Sequence, residues 1–348
     1  MKTTNLTAID LFCGAGGLTL GLKQAGFRVV AGVELNAIAA ETYRLNHEDV
    51  DVYEKDICDI NPSEILEKFN LKPGELDLLA GCPPCQGFSS QRTRNKTNAQ
   101  LDPRNELIFE FLRFVEVLLP KTIMLENVPA LAKNWRIFKL KESLEQLGYV
   151  VDENSISIHD AADYGVPQRR RRLFFKASRL GVISDAPKSK KRITVKESIF
   201  DLKPAGFSGD ELHDLGEDRS EKVKKIMSLV PKDGGSRTDL PKEYWLECHK
   251  RSPGGYRDVY GRMKWDDVSP TITVGCHNPS KVRFIHPEFD RAITLREAAL
   301  LQTFPMNYKF SLARGKDSVA LMIGNALPPN FIENHARQYV LHIKEAQQ

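Results

Sequence analysis

Between residues 6 and 127, short apolar runs alternate with stretches of helical period, and this alternation limits the fold more than any other feature of the chain. Ala8-Ile9-Asp10-Leu11-Phe12, Phe27 to Val33, Val50 to Glu54, Leu76 to Leu79 and Thr122-Ile123-Met124-Leu125 read as buried strands bounded by Gly, Pro or polar residues. Gly14-Ala15-Gly16-Gly17 turns into a helix carrying Leu18, Leu20 and Leu22, and Asn36, a good N-cap, opens the next. A third helix lays Leu107, Ile108, Phe111, Leu112, Val115, Leu118 and Leu119 along one face. Strand and helix in strict alternation predict an α/β fold with a doubly wound, mostly parallel sheet. In such a sheet the carboxyl ends of the strands share one rim, and the ligand crevice lies there. Phe12, Glu34, Asp56, Cys85 and Glu126 each follow or close one of these runs, so five residues far apart in sequence are expected to converge.

Cys85 stands in Gly81-Cys82-Pro83-Pro84-Cys85-Gln86-Gly87-Phe88-Ser89. Two prolines fix φ and remove backbone donors, so the chain leaves its strand at a defined angle and Cys85 sits on a rigid mount. Cys82 and Cys85 form a C-x-x-C pair, which allows a redox dithiol, half of a zinc site or an inert buried thiol. A redox pair is expected to open a helix, and Gln-Gly-Phe-Ser-Ser is a poor helix start. A structural zinc site needs a second ligand pair, whereas Cys13, Cys58, Cys248 and Cys276 are scattered singly, so no metal is expected. A nucleophile is the favoured reading. The Asp10 to Gly17 turn is a weak signal by itself, and Thr19 stands where the dinucleotide fingerprint has its third glycine. That disfavours NAD and FAD and leaves room for a ligand without pyrophosphate. Glu34 could accept from both hydroxyls of a ribose, and Asp56 from an adenine amino group; each could equally be a solvated loop carboxylate.

The chain has 348 residues and a formal net charge of only +4, but its basic residues cluster at Gln168-Arg169-Arg170-Arg171-Arg172 and Lys188-Ser189-Lys190-Lys191-Arg192. Local clusters of this kind suit a polyanion better than net charge does. If residues 168–174 are extended, Arg170 and Arg172 share one face and Arg169 and Arg171 the other. From residue 184 to 267 the texture turns rich in Lys, Asp, Gly, Ser and Pro, with a short helix expected over Val223 to Val230. Helical patterning returns near Thr294 and in a last helix, Pro329 to about Ile343, expected to pack back on the first domain. The expected division is a catalytic domain over 1–183, a loop-rich domain over 184–280 and a return segment over 281–348. Six cysteines without a disulfide framework, no apolar run of membrane length and no apolar leader at the N-terminus point to a cytoplasmic protein with no membrane partner.

Six ordered motifs carry a resemblance. Asp10 to Gly17, Pro83 to Ser89, Glu126-Asn127-Val128, Gln168 to Arg172, Arg296 to Pro305 and Gly324-Asn325-Ala326-Leu327-Pro328-Pro329 together resemble the C5-cytosine DNA methyltransferases of bacterial restriction-modification systems. The one small departure is Leu327, where the family more often has Val. The resemblance implies a class I methyltransferase fold, S-adenosylmethionine as cofactor, and duplex DNA as substrate, its cytosine flipped out of the helix. By match, Cys85 is the nucleophile that adds to C6, Glu126 the group that donates at N3, Arg172 a contact to the flipped base and Arg170 a residue orienting the catalytic loop or base. Phe12, Gly14, Gly16, Gly17, Leu18, Glu34, Asp56, Ile57, Pro83 and Asn325 would line the cofactor site. The loop over 86–104 would close on the DNA, with Ser89, Arg92, Arg94 and Arg104 as contacts. The middle domain would read the target, with Arg237, Arg251, Tyr256, Arg257 and Arg262 as candidates. Arg169 and Arg171 suit structural pairs or phosphates, and Arg296 to Pro305 a packing role. A monomer is expected, with no stable complex with a restriction endonuclease. A tRNA cytosine-5 methyltransferase built on the same motifs is the alternative.

Overall fold

Each apolar run before residue 128 becomes a strand. The computed structural model describes residues 6–84, 102–251, 255 and 257–348. β1 (Thr7–Leu11), α1 (Gly17–Ala25), β2 (Arg28–Val33), α2 (Ala37–Arg44), β3 (Asp51–Tyr53), α3 (Pro62–Lys68) and β4 (Leu78–Gly81) alternate, followed by α4 (Leu107–Leu118), β5 (Thr122–Asn127) and α5 (Trp135–Gln146). β6 (Ile156–Asp160) and β7 (Arg171–Ser178) complete a seven-stranded sheet of order β3-β2-β1-β4-β5-β7-β6. The first five strands in that order run parallel, and β7 lies antiparallel to both its neighbours. The winding reverses between β1 and β4, and a crevice opens beyond strand ends at such a reversal.

Local chemistry explains the elements. Asn36 caps α2, its side-chain oxygen accepting from the backbone N–H of Ile38 and Ala39 at 3.1 Å each. α4 buries Ile108, Phe111, Leu112, Phe114, Val115 and Leu118 against the sheet core, and Leu119 ends it in a left-handed turn at φ 46°. The last helix, α9 (Pro329–Glu345; α6 to α8 lie in the second unit below), presses on α1. A Cβ on Gly21 would lie 2.5 Å from both Ile332 Cβ and the Pro329 carbonyl oxygen, so only glycine lets the two helices approach this closely. Tyr339 reaches down from α9 and donates to the Ile123 carbonyl at 3.1 Å.

The chain divides into two compact units. The first comprises residues 1–160, 171–188 and 327–348, and contains the whole sheet. The second comprises 161–170 and 189–326. These boundaries differ from the expected 183/184 and 280/281: residues 281–326 belong to the second unit, and only 327–348 return to the first. The second unit carries α6 (Glu221–Leu229), α7 (Leu295–Leu301) and α8 (Gly315–Asn325), single-turn helices, and among the described residues only isolated bridges such as Gln168 with Ser269. No described helix is long and apolar enough to cross a membrane.

Candidate active site

β1 ends in a strained turn. Phe12, half-buried, adopts φ 62°, a left-handed conformation that a bulky side chain rarely takes, and Gly14 and Gly16 follow at 54° and 90°. The turn delivers Gly17 and the buried Leu18 to the start of α1, where backbone N–H groups lack helical partners and no acidic side chain fills the first turn. Glu34, one residue beyond β2, is tied into the turn: its Oε2 accepts from the Gly14 N–H at 2.9 Å and its Oε1 from the Asn36 N–H at 2.7 Å. Burial raises its pKa, against the pull of these backbone donors. A carboxylate has about four acceptor sites, so Glu34 keeps capacity for a ligand hydroxyl beside its backbone donors. Asp56 caps the next turn through Oδ1, accepting from the Cys58 N–H at 3.0 Å, with Ile57 buried beside it.

S-adenosylmethionine is a nucleoside without phosphate, and this donor and acceptor set fits it. Two strand ends offer carboxylate acceptors with capacity to spare, apolar Phe12 and Ile57 stand near them in sequence, and a helix N-terminus offers donors to a carboxylate. Asp10 supports the turn from beneath. It is fully buried, its Oδ2 accepts from Thr19 Oγ1 at 2.7 Å, and Oδ1 has no hydrogen-bond partner. Burial pushes its pKa up to about 7 despite the Thr19 hydrogen bonds, and the Glu34 charge adds to the rise. The sequence marks Asp10 as the start of the glycine-rich motif but gives it no role, because an aspartate inside a strand carries no signal that its strand is buried on both faces.

Glu126 sits in β5, one residue from its end, with 1% of its surface exposed. Arg172, two residues into the antiparallel neighbour β7, forms an ion pair with it, Nε to Oε1 at 2.9 Å. From the end of β4, Cys82 Sγ donates to Glu126 Oε2 at 2.7 Å. Asn127 donates its amide to the Pro83 carbonyl at 3.0 Å, fixing the prolines against β5. Pro83 is buried by this contact. Cys85, Ser89, Arg92, Arg94 and Tyr256 lie outside the described residues. Arg104, just after that gap, pairs with Asp102 at 2.7 Å.

The arginine run alternates as its extended geometry requires: Arg169 and Arg171 are exposed, Arg170 is buried and Arg172 is half-buried. The two inward arginines differ in fate. Arg172 meets Glu126, whereas Arg170 belongs to the second unit and donates to the carbonyls of Ile272 at 3.1 Å and Gly324 at 3.2 Å. That placement gives Arg170 a structural use there. Arg169 pairs with Asp267 at 2.9 Å. Asn325 ends α8 in the second unit, exposed.

Two expected DNA contacts are corrected. Arg237 is 2% exposed; its guanidinium donates to the Gly255 carbonyl and lies 5.3 Å from the centre of the Trp245 ring. Arg262 is fully buried and donates to the carbonyls of Val230, His286, Phe289 and Met227 and to Asp290. Neither can reach a phosphate without unfolding its surroundings. Arg251 and Arg257 remain exposed. Among the described residues no group of three or more His, Cys, Asp or Glu side chains could hold a metal ion.

Comparison with known proteins gives one answer. The C-5 cytosine-specific DNA methylase family matches residues 6–340. Type II methylase M.HgiDII of Herpetosiphon aurantiacus is 39% identical over 334 residues, covering 92% of this chain and 91% of that protein. Type II methyltransferase M1.HphI of Haemophilus parahaemolyticus is 34% identical, covering 93% and 84%. Among solved structures, a putative DNA modification methyltransferase encoded within an E. coli prophage superposes with a TM-score of 0.70 at 25% identity, covering 98% of this chain and all of that one. With the parallel sheet, the carboxylates at its rim and the clamped carboxyl of Glu126 in place, the chain belongs to the C-5 cytosine-specific DNA methylases, enzymes that move a methyl group from S-adenosylmethionine to C5 of cytosine in DNA.

Proposed function

We propose that the chain modifies one cytosine within a specific duplex sequence, acting as a monomer in the cytoplasm beside, but not bound to, a restriction endonuclease. The observation that carries the residue roles is the clamp on Glu126. A buried carboxyl at a parallel-sheet rim, held by an arginine from one strand and a thiol from another, is placed to exchange a proton with a ring that enters the crevice. S-adenosylmethionine supplies an electrophilic methyl group when bound. The chain must make C5 nucleophilic enough to take it. Cys85 adds as thiolate to C6 of the flipped base, while Glu126, protonated, donates at N3, where the addition pushes charge. Arg172 steadies the Glu126 carboxyl as the proton leaves. Loss of the C5 proton then breaks the S–C6 bond and frees Cys85. Glu34 holds the ribose and Asp56 the adenine amino group; Phe12, Gly14, Gly16, Gly17, Leu18, Ile57 and Pro83 complete the cofactor pocket. Residues 184–280 supply the target-reading surface, with Arg257 facing DNA. Ser89, Arg92, Arg94 and Arg104 hold its phosphates.

The test uses duplex DNA carrying 5-fluorocytosine, whose fluorine blocks the final elimination. The full-length protein is expected to form an adduct that survives denaturing electrophoresis, and Cys85→Ser to form none while still binding cofactor. Full methylation by Cys85→Ser would overturn the nucleophile assignment. Bisulfite sequencing of DNA from cells expressing the chain gives the site.

A further inference from the structure

Glu126 has to do two incompatible things. Without substrate it is buried with the Arg172 guanidinium against one oxygen, an arrangement that suits an acceptor. To assist addition at C6 it must carry a proton and give it toward N3. The closest approach of the Arg172 guanidinium is to Oε1, Nε at 2.9 Å, and positive charge there disfavours a proton on that oxygen, which leaves Oε2 to carry it. Oε2 is the atom that Cys82 contacts, at 2.7 Å.

We propose that Cys82 is a positioning residue for Glu126, a reversible hydrogen-bond partner that accepts either protonation state of Oε2 and so sets the pH range over which the acid is available. This rests on the reading of Glu126 as the N3 donor. A thiol is both a weak donor and a weak acceptor. Against the anion it gives S–H···O; against the acid it takes O–H···S. Either bond is cheap to break, so the Oε2 hydrogen can turn from sulfur to an incoming ring nitrogen. A serine hydroxyl at the same place is a stronger donor and would hold the anion more tightly. An alanine would hold neither form and would leave the carboxylate less solvated.

Among the described residues, β7 contributes Arg172 to the surroundings of Glu126, and the end of β4 contributes Cys82. His159, opposite Arg172 in the β6–β7 register, turns instead to Ser157 and to the His335 ring. Asp10, on β1, is bonded to Thr19. Cys85 lies outside the described residues, and its ionisation governs the acid limb of the rate profile rather than the alkaline one, because a thiolate is gained as pH rises and a protonated carboxyl is lost.

The experiment is single-turnover methyl transfer to duplex DNA at saturating cofactor, measured against pH for the full chain, Cys82→Ala, Cys82→Ser and Glu126→Gln. The alkaline limb is expected to move up in Cys82→Ala and down in Cys82→Ser, each by about half a unit to one unit, with the acid limb unmoved. Cofactor affinity is expected to match the parent, which serves as the check on folding; should one variant fail it, the direction of the other decides. A merely structural thiol would lower the whole profile without displacing either limb. Limbs that coincide with the parent, or shifts in the opposite order, overturn the proposal. Glu126→Gln separates the two levels. If it loses methylation while the Cys82 profiles stay put, the role of Cys82 fails and that of Glu126 stands; if it methylates normally, both fail.

Discussion

The two units solve the same problem of burying a chain by different means. The first buries side chains that need no partners: Ile9, Leu11, Leu79, Phe111, Ile123, Leu125 and Phe175 are all fully buried in one continuous core on the sheet. The second has a small apolar cluster of Ile226, Met227, Val230, Leu240, Val259, Tyr260 and Ile285, and alongside it arginines whose guanidinium groups satisfy loop carbonyls. A sheet closes its own hydrogen bonds, so its unit can be filled with hydrocarbon. Irregular loops leave carbonyls facing inward, and an arginine with five N–H donors is the side chain best able to answer several at once. Positive charge in a loop-rich region of a DNA-modifying enzyme therefore has two uses, and only one of them faces the nucleic acid.

The largest effects should come from the centre of each unit. Arg262→Ala strands four carbonyls and takes one of two cations from Asp290, which keeps Lys232, and is expected to destabilise by about 3–5 kcal/mol, as much as Phe111→Ala in the sheet core. Urea unfolding measures both; a mild Arg262→Ala would break the contrast drawn here. Next in size are the close approaches. Gly324→Ala puts a Cβ 2.3 Å from the Thr273 carbonyl carbon, and Gly21→Ala one 2.5 Å from Ile332 Cβ, and each should cost about 1–3 kcal/mol by the same measurement. Gly324→Ala is the harsher of the pair, because all three atoms nearest its Cβ are backbone and closest at 2.3 Å, whereas Gly21 meets one backbone oxygen and a side chain that can shift.

A smaller effect has a sign set by pH. Asp10 is raised from its usual 3.8 to about 7 by burial, so the folded protein holds its proton more tightly than the unfolded chain. This group's contribution to stability is full below about pH 4 and is lost as pH rises toward about 7. The melting temperature of Asp10→Asn relative to the parent should therefore climb between about pH 5 and about pH 8, and a flat difference would show that Asp10 is not neutral in the fold. The smallest effect tests the two uses of arginine directly. Arg257→Ala should shallow the salt dependence of DNA binding by about one unit of slope, whereas Arg237→Met should leave the slope alone in whatever fraction stays folded.

Much of the first unit was legible. Alternating apolar runs marked β1 to β5 and the helices α1, α2 and α4 to within a few residues, though not α3, and strand direction placed Phe12, Glu34 and Glu126 at one rim. Alternation over 168–174 set Arg169 and Arg171 outward and Arg170 and Arg172 inward, but that Arg172 meets Glu126 came from the structure. The family match and the Type II relatives favour DNA over tRNA as substrate. Less legible were the antiparallel run of β7, the excursion of 161–170 into the second unit and the contact between Cys82 and Glu126. A C-x-x-C pair invites thought of its two cysteines together, and nothing in the spacing says that the first faces a carboxyl 44 residues away.

Periodicity, proline and glycine are local, so the sequence by itself determined which segments are strands, where each breaks and which residues stand at the breaks. Burial of a charged side chain is not local. Arg237, Arg257 and Arg262 read alike in sequence, and what separates them is which carbonyls the rest of the chain brings to each guanidinium, a matter the tertiary structure alone decided.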